Sequence, residues 1–303
     1  MVLAAGLGTR LRPLTEVRAK PALPVAGEPI IRRILRWLVA NGVVNVTLNL
    51  HHLPETVTAV VGDGGDLGAR VRYSWEQPTI LGSAGGPRQA LDILGVETFF
   101  LINGDTLTDL DMRALAESHT RSGARVTLAL VPNVDPLRYG GVLLSEDGGV
   151  LGFVPRGPAA AGSLHFIGVQ LVHGSVFSGL PPARAANSIG GCYDALLARE
   201  PGAIRGFVTN ARFWDIGTVA DYWQTSWSWT TEISHVASAS HIANSAIINR
   251  SIVWNEVEIG ARSVLEECIV TDGVQVAAGT QYQRKILIRA ADGTTAVVPL
   301  EID

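Results

Sequence analysis

At 303 residues the chain is long enough for one large domain and a smaller one, and its 47% hydrophobic and 17% charged content belongs to a folded globule rather than a disordered chain. Lys+Arg 24 against Asp+Glu 28 leave a net charge of −4, which excludes the basic excess that nucleic-acid binders use to displace counterions. No apolar stretch reaches the length of a membrane span and Arg10 arrives before any signal-peptide core, so the chain reads as a cytoplasmic protein working on small molecules, with no membrane or nucleic-acid partner.

The first element is an apolar strand, Val2-Leu3-Ala4-Ala5, that runs into Gly6-Leu7-Gly8-Thr9-Arg10. Such a turn exposes backbone N–H groups with no side chain in the way, so phosphate oxygens can approach the main chain closely. Arg10 and, further on, Lys20 supply positive charge. A dinucleotide fingerprint needs a third glycine where Leu11 stands, and the Gly-Lys-Ser/Thr of a P-loop occurs nowhere. Next, Ile30, Ile31, Ile34, Leu35 and Leu38 recur at helical spacing and stop at Asn41-Gly42.

From there to about residue 232, short β-rich runs alternate with helical ones, the pattern of an α/β domain with a mixed, mostly parallel sheet. The strands include residues 43–50, 98–102, 126–131 and 165–170. Glu76-Gln77 precede a second glycine-rich stretch, Leu81-Gly82-Ser83-Ala84-Gly85-Gly86. Asn103-Gly104-Asp105 follow the apolar run Thr98 to Ile102, which puts Asp105 at a strand's C-terminal end, where open α/β sheets place ligands and where a carboxylate is a natural Mg²⁺ ligand. Tyr139-Gly140-Gly141-Val142 and Phe213-Trp214-Asp215-Ile216-Gly217-Thr218 are further compact motifs, the second leading into a helix over about 218–230. Trp223 and Trp227 are four apart on it, a spacing that predicts packing rather than ligand stacking. Cys192 and Cys268 have no metal-like spacing and read as buried thiols.

After about residue 233 the texture changes. Val236, Ile242, Ile248 and Trp254 step by six; a step of five leads to Ile259, and Leu265, Thr271 and Val276 continue the series. Hexads with small residues between them describe two or three coils of a parallel β-helix. The division therefore falls between a domain of residues 1–232 and a hexapeptide-repeat domain of residues 233–303. His235 and His241 are present, but so few coils make oligomer assembly or capping of the first domain the expected role rather than acyl transfer. A homo-oligomer held by the β-helix is the expectation.

The run from Met1 to Thr15 with Lys20-Pro21 resembles the opening signature of the sugar-1-phosphate nucleotidyltransferases. The resemblance covers roughly residues 1 to 280 and implies a Rossmann-like domain followed by a left-handed β-helix. It also implies a few residues ahead of Met1-Val2-Leu3, so the first strand is expected to be short at its start. The implied reaction is attack of a sugar-1-phosphate oxygen on the α-phosphorus of an NTP, assisted by Mg²⁺ on Asp105 and Asp215. Arg10 and Lys20 are the implied phosphate-binding catalytic cations. Leu3, Ala5, Gly6, Gly8, Thr9, Arg10, Glu76, Gln77, Gly82 and Ser83 would line the nucleotide.

The implied sugar-phosphate site comprises Asn103, Tyr139, Gly140, Gly141, Arg156 and Gly168. Here the chain departs from the family, reading Phe153-Val154-Pro155-Arg156-Gly157 for Phe-x-Glu-Lys-Pro and Phe166-Ile167-Gly168 for Asn-x-Gly. Arg156 would replace the family lysine with a bidentate fork. A carboxylate suits the N1–H and N2–H₂ edge of guanine, whereas an amide suits uracil or thymine. Glu76 as base reader predicts GTP, and Gln77 predicts UTP or dTTP; the balance leans to guanine and a mannose-1-phosphate guanylyltransferase-like activity. The alternatives are a uridylyl- or thymidylyltransferase acting on a glucose-, N-acetylhexosamine-, N-acetylmuramate- or heptose-1-phosphate, and a non-catalytic regulator that binds a nucleotide-sugar.

Overall fold

The computed structural model describes residues 1–290 and 292–302. By spatial compactness the chain divides into one unit of Met1–Gly6 with Arg33–Asp215 and a second of Leu7–Arg32 with Ile216–Asp303. The sequence division at 232/233 follows a change of texture, whereas compactness assigns the signature loop Leu7–Arg32 and the C-terminal residues to one body.

In the first unit the strands are β1 (Val2–Leu3), β2 (Asn45–Leu50), β3 (Arg70–Trp75), β4 (Thr98–Asn103), β5 (Thr106–Thr108), β6 (Val126–Pro132), β7 (Gly141–Leu144), β8 (Val150–Val154), β9 (Leu164–His173), β10 (Ile204–Val208) and β11 (Phe213–Asp215). Strands β5 and β11 form a separate two-stranded ribbon; the others build a 9-stranded sheet in the order β8-β7-β9-β4-β1-β2-β3, with β6 pairing both β9 and β10. Strands β4, β1, β2 and β3 run parallel, and β9 lies antiparallel to β4 and β6, giving the mixed sheet expected. Strands such as β6, with Val126, Leu128, Leu130 and their neighbours all buried, are apolar on both faces because both faces are covered.

Helices α1 (Ile30–Ala40), α2 (Pro54–Val61), α3 (Gly82–Leu94), α4 (Met112–Ser122), α5 (Tyr193–Arg199) and α6 (Val219–Ser228) complete the main elements. The predicted stripe Ile30, Ile31, Ile34, Leu35 and Leu38 of α1 is buried. Leu101, Val126, Leu128, Leu130, Val172, Phe177 and Tyr193 are central to the core of the first unit. No described helix is long and apolar enough to cross a membrane.

In the second unit, α6 opens on a capping box in which Thr218 accepts from the Asp221 amide and the Asp221 carboxylate accepts from the Thr218 amide. Behind it lies a parallel β-helix of three sheets, with strands His235–Val236, Ile252–Val253, Ile269–Val270 and Lys285–Arg289 stacked in register and Thr295–Pro299 added antiparallel at the end. Serine hydroxyls tie successive coils together: Ser234 accepts from the Ser251 amide and Ser251 from the Cys268 amide, each 17 residues on.

That 17-residue coil corrects the predicted hexad register. The five-residue step falls before Val253, not after Trp254, because Val236, Val253, Val270 and Leu287 occupy one stacked position. Val253, Ile259, Leu265, Val270 and Val276 fill the coil, joined by Cys268. Trp254 and Thr271, counted as inward-facing in the sequence, lie one residue along and point to the opposite side of the strand line, as the two-residue period of an extended chain requires. Both are buried there all the same.

Candidate active site

In the first unit, the chain leaves β1, moves outward through β2 and β3, and returns on the other side of β1 as β4. That reversal opens a crevice beyond the C-terminal ends of β1 and β4, the usual ligand position in an open α/β sheet. Leu3 lies opposite Asn49 on one side and Asn103 on the other. The Gly104 amide donates to the Leu3 carbonyl at 2.9 Å, and a Cβ on Gly104 would strike that same carbonyl, so the Asn103-Gly104-Asp105 turn can lie flush only with glycine.

Asp105 then leads straight into β5, which pairs antiparallel with β11 so that Asp215 stands opposite Thr106. The two carboxylates expected to share a metal, far apart in sequence, are thereby carried to neighbouring positions of one ribbon. Its other end is fastened by Arg212, whose backbone amide and Nε both donate to Asp109 at 2.7 Å and whose carbonyl accepts from the Thr108 hydroxyl at 2.7 Å. Arg138 Nη2 donates to the Asp215 carbonyl at 3.4 Å. Among the described residues there is no group of three or more His, Cys, Asp or Glu arranged to hold a metal. Aspartate carboxylates are the hard oxygen donors that Mg²⁺ takes, and Mg²⁺ keeps several of its oxygen ligands from substrate and water.

The base-reading expectation for Glu76 is corrected. Glu76 is completely buried, accepting from Asn49 Nδ2 at 2.6 Å and from the Leu81 amide at 2.6 Å. Asn49 in turn accepts from the Ala4 amide at 2.8 Å. Both carboxylate oxygens are therefore committed to a chain of hydrogen bonds that fixes the end of β1 to the start of α3, and none is presented to a base. Gln77, one residue on, is exposed. We expect Glu76→Ala to destabilise the protein by about 2–4 kcal/mol, since it orphans two buried donors. Chemical denaturation would measure this, and the ratio of activity between purine and pyrimidine NTPs should stay unchanged in the folded protein.

The second glycine-rich stretch is also different from expectation, because it is the first turn of α3 and not a loop. The amides of Ala84 and Gly85 donate to the Ala186 carbonyl at 2.9 and 3.2 Å. The Ser83 hydroxyl accepts from the Ser188 amide at 2.9 Å. A Cβ on Gly82 would stand 2.8 Å from the Ala186 carbonyl oxygen, and one on Gly85 would run into the Arg184 carbonyl. These glycines make room for protein backbone rather than for a phosphate. Gly6 contrasts with them, being exposed and with nothing within 4 Å of an added Cβ.

Of the residues expected at the sugar phosphate, the structure brings Tyr139, Gly140, Gly141 and Arg156 together, and Asn103 with Gly168. Gly168 has φ +79, and a Cβ there would stand 2.8 Å from Asn103 Nδ2. A Cβ on Gly141 would collide with the Ser163 hydroxyl, and the Arg156 amide lies beside Gly140 with the Arg156 side chain exposed. Three residues absent from the sequence-based set join them. The Tyr139 ring lies 4.2 Å from the His165 ring and 5.6 Å from that of Phe213, Arg138 sits 4.9 Å over Tyr139, and His165 Nδ1 contacts the Gly140 carbonyl at 3.3 Å. Burial, with the Arg138 charge behind it, holds the His165 imidazole below its ordinary pKa, so this ring is neutral at physiological pH. Phe213 could have been found from its place in the Asp215 motif; His165 carries no local signal.

In the second unit, Gly8 takes φ +61, and a Cβ on it would meet Thr15 Cγ2 at 2.7 Å and Lys20 Cβ at 3.3 Å. The Thr15 hydroxyl and the Leu11 amide both donate to the Gly8 carbonyl at 2.9 Å. The glycine turn and Lys20, linked in the sequence only by inference, are thus packed on each other. Thr9 and Arg10 are exposed at the start of the short helical turn that follows. A Cβ on Gly217 would lie 3.1 Å from Arg10 Nη2 and 3.3 Å from an Asp221 carboxylate oxygen, which places the guanidinium at the N-terminus of α6. Leu3 and Ala5, expected to line the nucleotide, are half-buried in β1 and buried just after it. Cys192 and Cys268 are free thiols, and burial pushes Cys192 up to about 11, so neither offers a thiolate.

Comparison with known proteins adds independent findings. The nucleotidyl transferase family matches residues 1–232, and the GlmU-like C-terminal hexapeptide family matches residues 228–289. A mannose-1-phosphate guanylyltransferase of Mycobacterium tuberculosis is 31% identical over 298 residues, covering 94% of this chain and 82% of that protein. A UTP–glucose-1-phosphate uridylyltransferase of Synechocystis is 31% identical over 241 residues, covering 74% of this chain and 61% of that protein. Among solved structures, HddC from Yersinia pseudotuberculosis complexed with GMP-PN superposes with a TM-score of 0.66 at 25% identity, covering 76% of this chain and 98% of that one. The signature loop and these matches agree: the chain belongs to the nucleotidyl transferase family and continues into a GlmU-like hexapeptide region.

Proposed function

We propose that the chain transfers a nucleoside monophosphate from an NTP to a sugar 1-phosphate, giving an NDP-sugar and pyrophosphate, with GTP and mannose 1-phosphate as the preferred pair. The observation that carries the reaction is the β5–β11 register, which puts Asp215 opposite Thr106 and so next to Asp105 at the end of β4. The substrate preference is supported by the guanylyltransferase likeness, which runs through the hexapeptide region as well. The Glu76 geometry removes the residue-level argument for guanine.

In the reaction a sugar-1-phosphate oxygen bonds to the α-phosphorus while the bond from that phosphorus to the bridging oxygen breaks, and pyrophosphate leaves with the electron pair. Phosphate monoesters have a second pKa of about 6, so the attacking oxygen is already ionised and needs no general base. Arg10 and the amides of Gly6 to Thr9 hold the β- and γ-phosphates, and Lys20 stabilises the charge that builds on the α-phosphate. Gly82 and Ser83 border the nucleotide, while Asn103, Tyr139, Gly140, Gly141, Gly168 and Arg156 hold the sugar phosphate. Mg²⁺, held by Asp105 and Asp215, would neutralise phosphate charge and orient the phosphates for in-line displacement.

Pyrophosphate release from four NTPs against mannose-, glucose-, N-acetylglucosamine-, N-acetylmuramate- and heptose-1-phosphate tests this directly. The expected result is turnover highest with GTP and mannose 1-phosphate and abolished by EDTA; no turnover with any pair overturns the reading. A second reading, UTP or dTTP, is favoured by the exposure of Gln77 beside the buried Glu76. Pyrimidine turnover that exceeds GTP turnover and falls on Gln77→Ala would establish it.

A further inference from the structure

The β-helix is expected from its sequence to serve assembly or capping, but one of its acidic side chains is spent on the signature loop. Asp272 follows the strand Ile269–Val270, and both of its oxygens accept from Arg18, Oδ2 from Nε and Oδ1 from Nη2, each at 2.6 Å. Arg18 is only 9% exposed; its guanidinium lies 5.2 Å over the Trp254 ring, and its Nη1 donates to the Ala22 carbonyl at 3.5 Å. Asp272 Oδ1 also accepts from the Asn255 amide at 3.0 Å, so the carboxylate is itself fixed to the coil. A second chain of bonds runs alongside. Trp254 Nε1 donates to the Tyr222 hydroxyl at 3.0 Å, and Tyr222 of α6 donates to the Pro24 carbonyl at 2.8 Å.

These anchors share one target. Arg18, Ala22 and Pro24 bracket the turn Lys20–Ala22, and Lys20 is packed against Gly8 of the glycine turn. A bidentate Arg–carboxylate pair fixes direction as well as distance, and here the arginine side of the pair is buried. Trp254, outside the coil core yet 1% exposed, is explained by the same contact.

We propose that Arg18, Asp272, Trp254 and Tyr222 are positioning residues through which the β-helix holds the phosphate-gripping loop Leu7–Val25 in its binding conformation. The hexapeptide region is then a working part of the nucleotide site and not an appendage. The inference rests on the reading that Arg10 and Lys20 hold the triphosphate.

The test uses the full chain with Asp272→Asn, which keeps the acceptor for the Asn255 amide but removes the charge, and with Arg18→Ala and Arg18→Lys. The expected result is an NTP KM raised about tenfold in Asp272→Asn and Arg18→Ala, within the range of energetic coupling through packed networks. The sugar-1-phosphate KM should stay within about twofold of the parent, and Arg18→Lys, which keeps the charge but loses the fork, should fall between. Hydrogen exchange should rise at residues 7–25 and stay unchanged in the coil core at Val253, Leu265 and Val270. Unchanged exchange in the loop, or an unchanged NTP KM while Arg10→Ala raises it, overturns the proposal. If Arg10→Ala leaves the NTP KM untouched and Lys20→Ala leaves turnover untouched, the phosphate-gripping reading itself has failed, and the proposal falls with it.

Discussion

Asp105→Asn is expected to lower turnover by about 10²-fold or more, and Asp215→Asn to do the same, with the fold intact in both. The amide is isosteric with the carboxylate, so the turn at Gly104 and the β5–β11 ribbon have no steric reason to move. What is lost is charge at the point where the triphosphate's own negative charge must be offset. Losing one transition-state stabilising group costs about 10²–10³ in turnover, or roughly 3–4 kcal/mol. In the proposed site the two carboxylates form one ligand set, so the double variant should be little worse than either single one, as for other residues that act as a unit. Steady-state pyrophosphate release at saturating substrate, together with circular dichroism, reads both parts. Turnover near the parent value in either single variant would remove that residue from the metal site.

Lys20→Ala gives the second large effect, again about 10²-fold in turnover, whereas Arg10→Ala acts more on the NTP KM. The two cations differ in setting. Lys20 is half-buried and its Cβ packs on Gly8, so the root of its side chain is held in one place, and the proposed role at the α-phosphate is one that favours the transition state over the ground state. Arg10 is exposed beside the start of α6, a position suited to the outer phosphates, which it would grip in the bound NTP as well as in the transition state. Lys20→Arg should not restore full activity, because a planar fork cannot replace a compact point charge at a packed site. Full kinetics on the three variants separate the roles, and a Lys20→Ala variant with parent turnover and a raised NTP KM would exchange them.

Two of the readings that changed did so for related reasons. Glu76 and Gln77 are adjacent, and either could have faced a base; the chain direction at the end of β3 turns Glu76 inward to Asn49 and Leu81 and leaves Gln77 outside. Val253 and Trp254 are adjacent and both apolar, and either could have filled the coil; the stacking of Val236, Val253, Val270 and Leu287 decides it, and Trp254 is buried by Tyr222 and Arg18 instead. Hydrophobic spacing reports that a residue is buried but not what buries it. The glycines of α3 show the same limit, since a glycine-rich stretch read as lining a nucleotide also makes room for the Ala186 and Arg184 carbonyls beside Gly82 and Gly85.

The alternating α/β domain, the hexad tail, the glycine turn of Gly6 to Arg10 and the strand-end position of Asp105 are legible in the sequence alone, because each of these is written in local spacing or in contiguous motifs. Only the tertiary structure decided that Asp215 stands next to Asp105, that Lys20 packs on Gly8, that Glu76 is structural, and that Arg18 is held by Asp272. Those facts depend on strand register and on side chains meeting across long stretches of chain, and a contact between distant residues is fixed by the packing of whole elements rather than by anything in the neighbourhood of either residue.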